Sequence, residues 1–357
     1  MKIIIYSNSD WNLYNFRSSL IEMLIKEYDV LLVCRKTGKY NYLRNYYPNL
    51  SIIEISSKNL IFSFLEEFYK FFKISKIYRP NIVLSFTHKS NLINIISSIF
   101  LKNYSISVIT GLGSFFLKKK FFFLSYLIKK LYSFSNKVVF QNIYDKKIFK
   151  LKNSLLISGS GVDLNRFYLK KKFNYKKINF FLISRIIKDK GIYEYFYASN
   201  YFKIKNKNLK FHFVGDFSLD NPSKLTKKEF KILKQNSNVI WHKYKKDVNV
   251  YLNKTDCLIL PSYREGLSKI ILEAMSKGIP ILGSKVPGIQ DIIKNNYNGY
   301  LFKPQNKEDL IIAIKKFILS TNSQRKMFGK SSVDLIKKKY SNKIILKKYL
   351  QLIKNSK

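Results

Sequence analysis

Two glutamates with seven residues between them, Glu265 and Glu273, are the side chains whose type and spacing most directly suggest chemistry. Apolar residues recur at helical spacing after Gly266 and stop at Gly278, so we expect Glu265 in a loop and Glu273 about two turns inside a helix. Glycine lets a ligand approach the backbone, and the free amides at a helix start attract an anion such as a diphosphate. Carboxylates accept hydrogen bonds from sugar hydroxyls. The segment therefore carries the groups that a phosphorylated sugar would need.

The same spacing has a simpler interpretation. Lys269, Glu273 and Lys277 stand four residues apart and could form a solvated ladder of charges along one helix face. Glu265 could be an ordinary acidic residue that faces the positive end of the helix dipole. Spacing alone leaves both interpretations open.

Short β-branched segments alternate with longer amphipathic segments along the chain, the pattern of βαβ units that build a mostly parallel sheet. We therefore expect an α/β fold. A lysine-rich stretch at 166–177 separates two such halves, and the sequence becomes helical after Asn306. The expected strands are Lys2–Tyr6, Val30–Cys34, Asn81–Phe86, Ser105–Thr110 and Lys137–Phe140 in the first half, and Asn179–Ser184, Lys210–Val214, Val239–Trp241, Cys257–Leu260 and Ile279–Gly283 in the second.

The composition is that of an ordinary globular protein except for its charge. The chain has 357 residues, which suggests two domains, and its 46% hydrophobic and 25% charged residues exclude disordered, collagen-like and disulfide-scaffold classes. Lys and Arg number 66 against 22 Asp and Glu, a net charge of +44. This surplus favours a polyanionic partner or an anionic surface, or it reflects a lysine-rich composition throughout the chain.

The cysteines, the histidines and the hydropathy pattern further restrict the class of protein and its cellular compartment. Cys34 and Cys257 lie in separate expected strands, so we expect no disulfide and a reducing compartment. Three isolated histidines without a cysteine or carboxylate cluster predict no metal site. The first apolar stretch, Ile3–Ile5, is too short for a signal peptide, and no segment reads as a membrane span. We therefore expect a cytoplasmic protein.

The segment from Pro261 to Ile293 resembles the E-x7-E signature of the retaining glycosyltransferases of family 4. Similar segments span nearly the whole chain, and those of the first half are typical of the subset that builds capsule, O-antigen or lipid-linked oligosaccharide. They are Ser184–Gly191, Phe213–Asp216 and Asn298–Phe302 in the second half, and Ser85–Lys89, Ile109–Gly113, Phe140–Asn142 and Gly159–Asp163 in the first.

This resemblance implies the GT-B fold, in which two Rossmann-like, doubly wound domains face each other across a cleft. We expect an acceptor-binding domain at 1–168, a nucleotide-sugar-binding domain at 169–340 and a C-terminal helix at 341–357 that packs back toward the first domain. The implied reaction moves a hexose or N-acetylhexosamine, with retention, from a nucleotide-sugar to a lipid-linked or surface-polysaccharide precursor. The donor of this subset is most often UDP-linked, and no metal or other cofactor is expected.

The resemblance also implies roles for individual residues of the second half. Arg185 and Lys190 would hold the donor diphosphate, where two cations can neutralise the charge of the leaving group. Glu265 would hold the donor sugar and its phosphate together with neighbouring amides, and Glu273 would bind the ribose hydroxyls. The expected catalytic residues are thus Glu265, Arg185 and Lys190, and the expected donor-binding residues are Glu273, Gly266, Leu267, Ser268 and Gly215.

The first half departs from the family pattern at two places. Ser7–Trp11 stands where many members have a glycine-rich loop, and Thr110–Gly113 stands where many have a histidine. Polar residues after the first strand could face the acceptor, or they could lie on the exposed face of a helix without contacting it. A histidine could face the cleft from a strand end. Glycines allow a ligand to approach the backbone closely. The acceptor and cleft candidates are Asp10, Asn15, Arg17, His88, Gly111 and Gly113.

The basic surplus suggests a partner beyond the donor. Phe115–Phe134 mixes aromatic residues with lysines in the manner of an interfacial helix, and Leu60–Ile74 is a second candidate, although both could be ordinary packed helices. We expect peripheral binding to an anionic membrane surface at the inner face of the cytoplasmic membrane. The alternative is a non-catalytic protein that binds nucleic acid or membrane through its charge. The surplus, however, is scattered lysine, and the sequence has no recognised nucleic-acid motif, so no specific nucleic acid is expected.

Overall fold

The structure is a computed structural model that describes residues 1–35, 42–55, 63–112, 122–168, 177–203, 208–217, 223–235 and 237–356. The chain divides into two compact units. The first contains Met1–Ser160 together with Asn342–Lys357, and the second contains Gly161–Ser341. The domain boundaries at 168 and 340 stay a prediction.

The first unit is a seven-stranded parallel sheet with helices between its strands, in the order β3-β2-β1-β4-β5-β6-β7. Its elements are β1 (Lys2–Ser7), α1 (Asp10–Leu24), β2 (Asp29–Cys34), α2 (Tyr42–Tyr46), β3 (Ile52–Glu54), α3 (Ser63–Tyr78), β4 (Ile82–Phe86), α4 (His88–Leu101), β5 (Tyr104–Ile109), α5 (Phe122–Tyr132), β6 (Lys137–Phe140), α6 (Ile143–Phe149) and β7 (Ser154–Leu156).

The second unit is a six-stranded parallel sheet in the order β10-β9-β8-β11-β12-β13. Its elements are β8 (Ile178–Ile183), a 3₁₀ turn (Lys188–Lys190), α7 (Ile192–Lys203), β9 (Leu209–Val214), α8 (Lys227–Gln235), β10 (Val239–His242), α9 (Asn249–Leu252), β11 (Cys257–Leu260), α10 (Lys269–Ser276), β12 (Ile281–Ser284), β13 (Gly299–Phe302), α11 (Lys307–Leu319), α12 (Asn322–Leu335) and a π-helical turn (Ile336–Tyr340). The last helix, α13 (Asn342–Lys354), belongs to the first unit.

Helix α13 is held on α1 by apolar packing and polar contacts. Ile345 and Ile353 are buried in the same core cluster as the inner residues of α1. Asn342 Nδ2 donates to Ser19 Oγ at 3.0 Å, and Lys354 pairs with Glu27 at 3.8 Å. The C-terminal helix therefore completes the first unit.

The central strands consist of consecutive apolar residues because helices cover both faces of each sheet. Ile3, Ile4 and Ile5 of β1 are fully buried, as are Cys257 and Leu258 of β11. Strands buried on both faces lose the alternation of polar and apolar residues, as is usual for parallel sheets. Both cysteines are free and buried, as their place in these strands predicted.

The expected α/β fold class is confirmed, and all ten expected strands are present with ends that shift by up to two residues. Three strands were not predicted: β3, β7 and β13. Each has only three or four residues and lies at the edge of its sheet, where partial exposure weakens the apolar pattern. The helix after Asn306 buries the predicted face, namely Leu310, Ile311, Ala313, Ile314 and Phe317.

Each sheet has one point at which the strand order reverses. In the first unit this point lies between β1 and β4, and in the second it lies between β8 and β11. Open α/β sheets bind ligands at the carboxyl ends of the two strands that flank such a reversal. The segments after β8 and β11 are therefore the places to seek a donor site.

Candidate active site

The segments that follow β8 and β11 meet through a partly buried ion pair. Lys190, in the 3₁₀ turn after β8, contacts the carboxylate of Glu265 in the loop after β11. The Lys190 and Glu265 side chains are only 17% and 12% exposed. Backbone contact reinforces the pair, because the Tyr263 N–H donates to the Asp189 carbonyl at 2.8 Å. Two residues that are 75 positions apart in the sequence are thus joined at the reversal point of the sheet.

Two glycines permit the close packing behind this pair. A side chain on Gly191 would place its Cβ 2.1 Å from the Pro261 carbonyl oxygen, and one on Gly288 would lie 2.2 Å from the Gly266 carbonyl oxygen. Both glycines have positive φ, +68° and +78°, which favours glycine in any case. The loop that carries Glu265 is therefore pressed between two backbone segments.

Tyr263 adds a second polar tie between the same segments. Its hydroxyl donates to Glu194 at 2.8 Å, on the helix that follows Lys190. Burial and the neighbouring Glu194 carboxylate raise the pKa of Tyr263, so the hydroxyl stays protonated and donates. Sequence reasoning assigned no role to Tyr263, Glu194 or Gly288. Only Gly288, which follows a proline, carried a local turn signal.

Helix α10 begins at Lys269, later than the sequence suggested. Gly266 and Leu267 lie in the loop, and Ser268 is the N-cap residue without a side-chain capping bond. Glu273 is therefore about one turn inside the helix, where two turns were expected. The first amides of α10 remain an electropositive helix start beside Glu265.

Glu273 is a buried acid. Its side chain is 8% exposed and lies 3.6 Å from the Lys269 ammonium. Burial raises the pKa of Glu273, whereas the positive charge of Lys269 opposes this shift. Nearby, Arg166 forms an ion pair with Asp247 at 3.1 Å. A carboxylate held in such surroundings at a cost to stability is typical of a functional site.

The alternative of a solvated charge ladder is wrong for this helix. Lys277 is only 1% exposed, and its ammonium lies 3.4 Å from the Tyr168 carbonyl and 4.9 Å from the Tyr168 ring. Glu273 is buried as well. A regular four-residue spacing of charges therefore does not imply an exposed face here.

Arg185 and Gly215 follow the ends of two neighbouring strands, β8 and β9. Arg185 is exposed, and its guanidinium has no hydrogen bond or ion pair with the part of the chain that the structure describes. Gly215 is buried, and its carbonyl accepts from the Trp241 indole at 3.2 Å. The structure therefore joins Lys190 to Glu265 directly but does not join Arg185 to them.

The first-unit candidates are more buried than expected. Asp10 opens α1 and is 5% exposed, and Asn15 Nδ2 donates to the Trp11 carbonyl at 3.1 Å. Arg17 is 3% exposed, with its guanidinium carbon 4.0 Å from the Phe86 ring centre. Burial lowers the pKa of Arg17 to about 10.

Two of the remaining first-unit candidates, His88 and Gly111, are in contact. His88, the first residue of α4, approaches the Gly111 carbonyl oxygen at 3.2 Å through its ring Nε2. Gly113 lies outside the described residues. The sequence placed His88 and Gly111 at different strand ends without predicting their contact.

The histidines of the second unit are not isolated, contrary to expectation. His212 Nδ1 and His242 Nε2 lie 2.9 Å apart, because β9 and β10 are neighbours in the sheet. Among the described ranges, no group of three or more His, Cys, Asp or Glu side chains could hold a metal ion.

Comparison with known proteins shows the family to which the chain belongs. The family model "Glycosyl transferases group 1" matches residues 166–332, and "Glycosyl transferase 4-like" matches residues 2–142. The capsular polysaccharide biosynthesis glycosyltransferase CapM of Staphylococcus aureus is 27% identical over 53% of this chain and 51% of its own. The N,N'-diacetylbacillosaminyl-diphospho-undecaprenol alpha-1,3-N-acetylgalactosaminyltransferase of Campylobacter jejuni is 26% identical over 99% of this chain and 98% of its own.

A solved structure matches the fold along the whole length. Anabaena HepE in complex with UDP has a TM-score of 0.80 at 15% identity, over 99% of this chain and 100% of its own. The two parallel sheets and this likeness define the GT-B fold. The chain belongs to the family 4 glycosyltransferases, whose two family models together match most of its length. The comparisons support this enzyme class and not the alternative of a non-catalytic binding protein.

Proposed function

We propose that the protein transfers a sugar from a UDP-sugar to a lipid-linked or capsular saccharide precursor, with retention at the anomeric carbon. The observation that carries the proposal is the Lys190–Glu265 ion pair at the β8/β11 reversal point, one loop away from the start of α10. The two whole-length likenesses, to a UDP complex and to an enzyme of an undecaprenyl-diphosphate-linked sugar, support the donor and acceptor classes.

In this proposal the second unit binds the donor. Lys190 and Arg185 contact the diphosphate, and the amides of Gly266 and Leu267, with the N-cap Ser268, lie along it. Glu265 holds the donor sugar, and Glu273 accepts from the ribose hydroxyls. Gly215 provides close backbone approach at the next strand end. Exposed Arg185 is available for this task because no side chain in the described part of the chain occupies its guanidinium.

The chemistry is substitution on one face of the sugar. The bond from the anomeric carbon to the diphosphate oxygen breaks while a bond to the acceptor hydroxyl oxygen forms on the same face. The acceptor proton passes to the departing diphosphate oxygen, so the products are UDP and the extended acceptor. The two cations stabilise the charge on the leaving group, and the site supplies orientation. No metal ion is required in this scheme, because Lys190 and Arg185 supply that charge.

The test is transfer by the purified full chain. The protein is incubated with a panel of UDP-sugars and an undecaprenyl-diphosphate-linked sugar, and the lipid product is measured by mass spectrometry. We expect one donor to add its sugar mass, with the donor's anomeric configuration in the product by NMR. Glu273→Gln and Arg185→Ala should each reduce the rate at least about tenfold, since a charged hydrogen bond contributes about 1.5–3 kcal/mol. Absence of both transfer and hydrolysis across the panel, together with tight DNA binding at physiological salt, would overturn the proposal.

We further propose that the enzyme binds an anionic membrane surface through α5. The start of this helix exposes large aromatic side chains: Phe123 and Tyr126 are 72% and 58% exposed, whereas Ser125 is buried. Exposed aromatic residues beside lysines such as Lys129 and Lys130 suit the interface of an anionic leaflet. None of the helices in the described residues is long and apolar enough to cross a membrane.

Helix α3, the second membrane candidate, is less suited to this role. Its Phe71 is fully buried, and Phe64 and Phe68 pack against the same core cluster. The packed-helix interpretation is therefore favoured for α3. Residues 60–62 of that candidate and 115–121 of the first lie outside the described residues.

Vesicle flotation tests the membrane proposal. Full-length protein should float with phosphatidylglycerol vesicles at low salt and less with phosphatidylcholine vesicles. The double variant Phe123→Ser, Tyr126→Ser should lose most of this flotation, because two exposed apolar anchors are removed. Leu319→Ser, which alters a leucine that is 83% exposed in the second unit, serves as the matched control and should float normally. Equal flotation of all three proteins would contradict a role for α5.

A further inference from the structure

A continuous chain of buried hydrogen bonds runs along α4 and ends at the carboxyl edge of the first sheet. Its members lie on β4, α4, the turn after α4, α5 and the segment after β5, and four of the eight are fully buried, namely Ser85, Asn91, Asn94 and Tyr132. Each side chain donates to the next, with distances of 2.8–3.2 Å. In donor order the chain is Asn103, Ser98, Asn94, Ser85, Asn91, Tyr132, His88 and the Gly111 carbonyl.

The chain fixes the tautomer of His88. The Gly111 carbonyl can only accept, so Nε2, at 3.2 Å, must carry the hydrogen. Nδ1 is then unprotonated and accepts from the Tyr132 hydroxyl at 2.8 Å. Tyr132 donates in this direction because Nδ1 has no hydrogen to give, and its oxygen in turn receives the Asn91 amide at 3.2 Å. Both ring nitrogens are thus engaged by the protein itself.

The surroundings hold this arrangement rigidly. Tyr132 and Asn91 are fully buried, and Asn91 Nδ2 also donates to the Val108 carbonyl at 3.0 Å. Burial raises the pKa of Tyr132, which keeps its hydroxyl a donor. Hydrogen bonds aligned in one direction polarise and strengthen one another. The imidazole at the end of the chain is therefore a well-oriented donor to Gly111.

The backbone just before His88 is strained. Thr87 has φ +76° and ψ 153°, a region that is nearly exclusive to glycine, and its hydroxyl is buried without a hydrogen-bond partner. Such strain persists only where the surrounding contacts determine the conformation, and it gathers at functional sites. Here the turn at Thr87 directs His88 from the end of β4 toward the end of β5.

We propose that His88 is a positioning residue for acceptor binding, which fixes the Gly111 carbonyl and the backbone after β5 where the acceptor saccharide docks. The inference rests on the proposed function only in placing the acceptor at the first unit. Gly111, at φ +148°, adopts a backbone that a side chain would strain and leaves room for a ligand to approach. His88 acts through Gly111, and no proton moves through its ring.

The tautomer can be measured without any activity. Long-range ¹H–¹⁵N correlation spectra of the full chain should show His88 in the Nε2–H form near neutral pH. Tyr132→Phe removes the donor to Nδ1 and should add the Nδ1–H form. Tyr78→Phe is the matched control, since it deletes a hydroxyl that bonds Asp29 at 2.9 Å on another part of the same unit. An Nδ1–H form in the wild type would overturn the proposal.

Kinetic constants of His88 variants distinguish a positioning role of His88 from a role as catalytic base. His88→Ala should raise the acceptor KM about 5–10-fold, as expected for one lost hydrogen bond, and leave the donor KM unchanged. His88→Gln places an amide near the former Nε2 and should restore most of the acceptor KM, whereas His88→Asn, which places its amide near Nδ1, should not. The pH profile of kcat should be the same in wild type and His88→Ala.

The outcomes distinguish this inference from the proposed function. A wild-type protein that neither transfers nor hydrolyses any UDP-sugar and binds DNA tightly would refute the proposed function, while the tautomer measurement would still test the hydrogen-bond chain. A wild-type enzyme that is active, with His88→Ala acting only on kcat and abolishing an inflection in its pH profile, would make His88 a base and refute the positioning role. An unchanged acceptor KM in His88→Ala would also refute it.

Discussion

The Lys190–Glu265 pair offers the sharpest test of how the proposed donor site is built. We would replace each residue by a side chain of similar shape, Lys190→Met and Glu265→Gln, and combine the two changes. Exposed ion pairs contribute about 0–1 kcal/mol, and breaking a fully buried pair costs about 3–5 kcal/mol. With side chains 17% and 12% exposed, this pair lies between the two limits, so we expect about 2 kcal/mol for either single change.

Thermal unfolding of the full chain provides the measurement. For a unit of this size, a loss of about 2 kcal/mol lowers the melting temperature by about 4–8 °C. The double variant should be more stable than the sum of the single losses predicts, because it leaves neither charge unpaired. Lys188 and Glu229, an exposed pair that joins the same 3₁₀ turn to α8, provide the matched control cycle and should show weaker coupling. If the two single losses add within about 0.5 kcal/mol in the double variant, the ion pair contributes no coupling and this account of it is refuted.

The pair also predicts a split between binding and turnover. The Glu265 carboxylate neutralises Lys190 before the donor arrives and repels a diphosphate. Glu265→Gln should therefore bind UDP at least as tightly as the wild type but transfer sugar slowly. Lys190→Met should weaken UDP binding and also slow sugar transfer.

Three further predictions follow from buried or strained residues. Glu273→Gln should weaken donor binding and should raise or preserve the melting temperature at neutral pH. The folded protein raises the pKa of Glu273, so the charged carboxylate costs stability at any pH above the pKa of the unfolded chain. A lower melting temperature in the variant would contradict this. Burial lowers the pKa of His212 to about 4 and also lowers that of His242, so the unfolded chain binds more protons and stability should fall as the pH drops from about 6.5 toward 4. Melting curves of wild type and His212→Asn across that range should show a shallower slope for the variant. Thr87→Gly should stabilise the first unit by about 1 kcal/mol. The change relieves about 1–3 kcal/mol of backbone strain, which exceeds the entropic cost of a more flexible glycine in the unfolded chain. Equal or lower stability in urea unfolding would contradict this.

The strand ends that carry the proposed donor site were predicted well from the sequence, because strands are local features. The apolar runs that became β8 and β11 are easily recognised, and the residues after parallel strands gather at one sheet edge. Lys190 and Glu265 could therefore be expected to meet. Glu273 was named as well, although the start of α10 at Lys269 moves it one turn closer to the loop.

Other features depend on packing that no local pattern encodes. The His88–Tyr132 and Tyr263–Glu194 contacts join residues 44 and 69 positions apart, and only the docking of helices against the sheet brings them together. Lys277 follows Glu273 by four residues, a spacing typical of charges on an exposed helix face, and is nevertheless buried against Tyr168. Edge strands such as β13 carry too few buried residues to be recognised.

Calorimetric titration of UDP tests the central claim most directly, namely that the second unit binds the nucleotide at Lys190 and Glu273. The wild type should bind UDP, and Lys190→Met and Glu273→Gln should each weaken that binding about tenfold or more, as loss of a charged hydrogen bond implies. Lys188→Met, two residues away and paired with Glu229, should bind UDP like the wild type. Equal affinity of all four proteins for UDP would contradict the account.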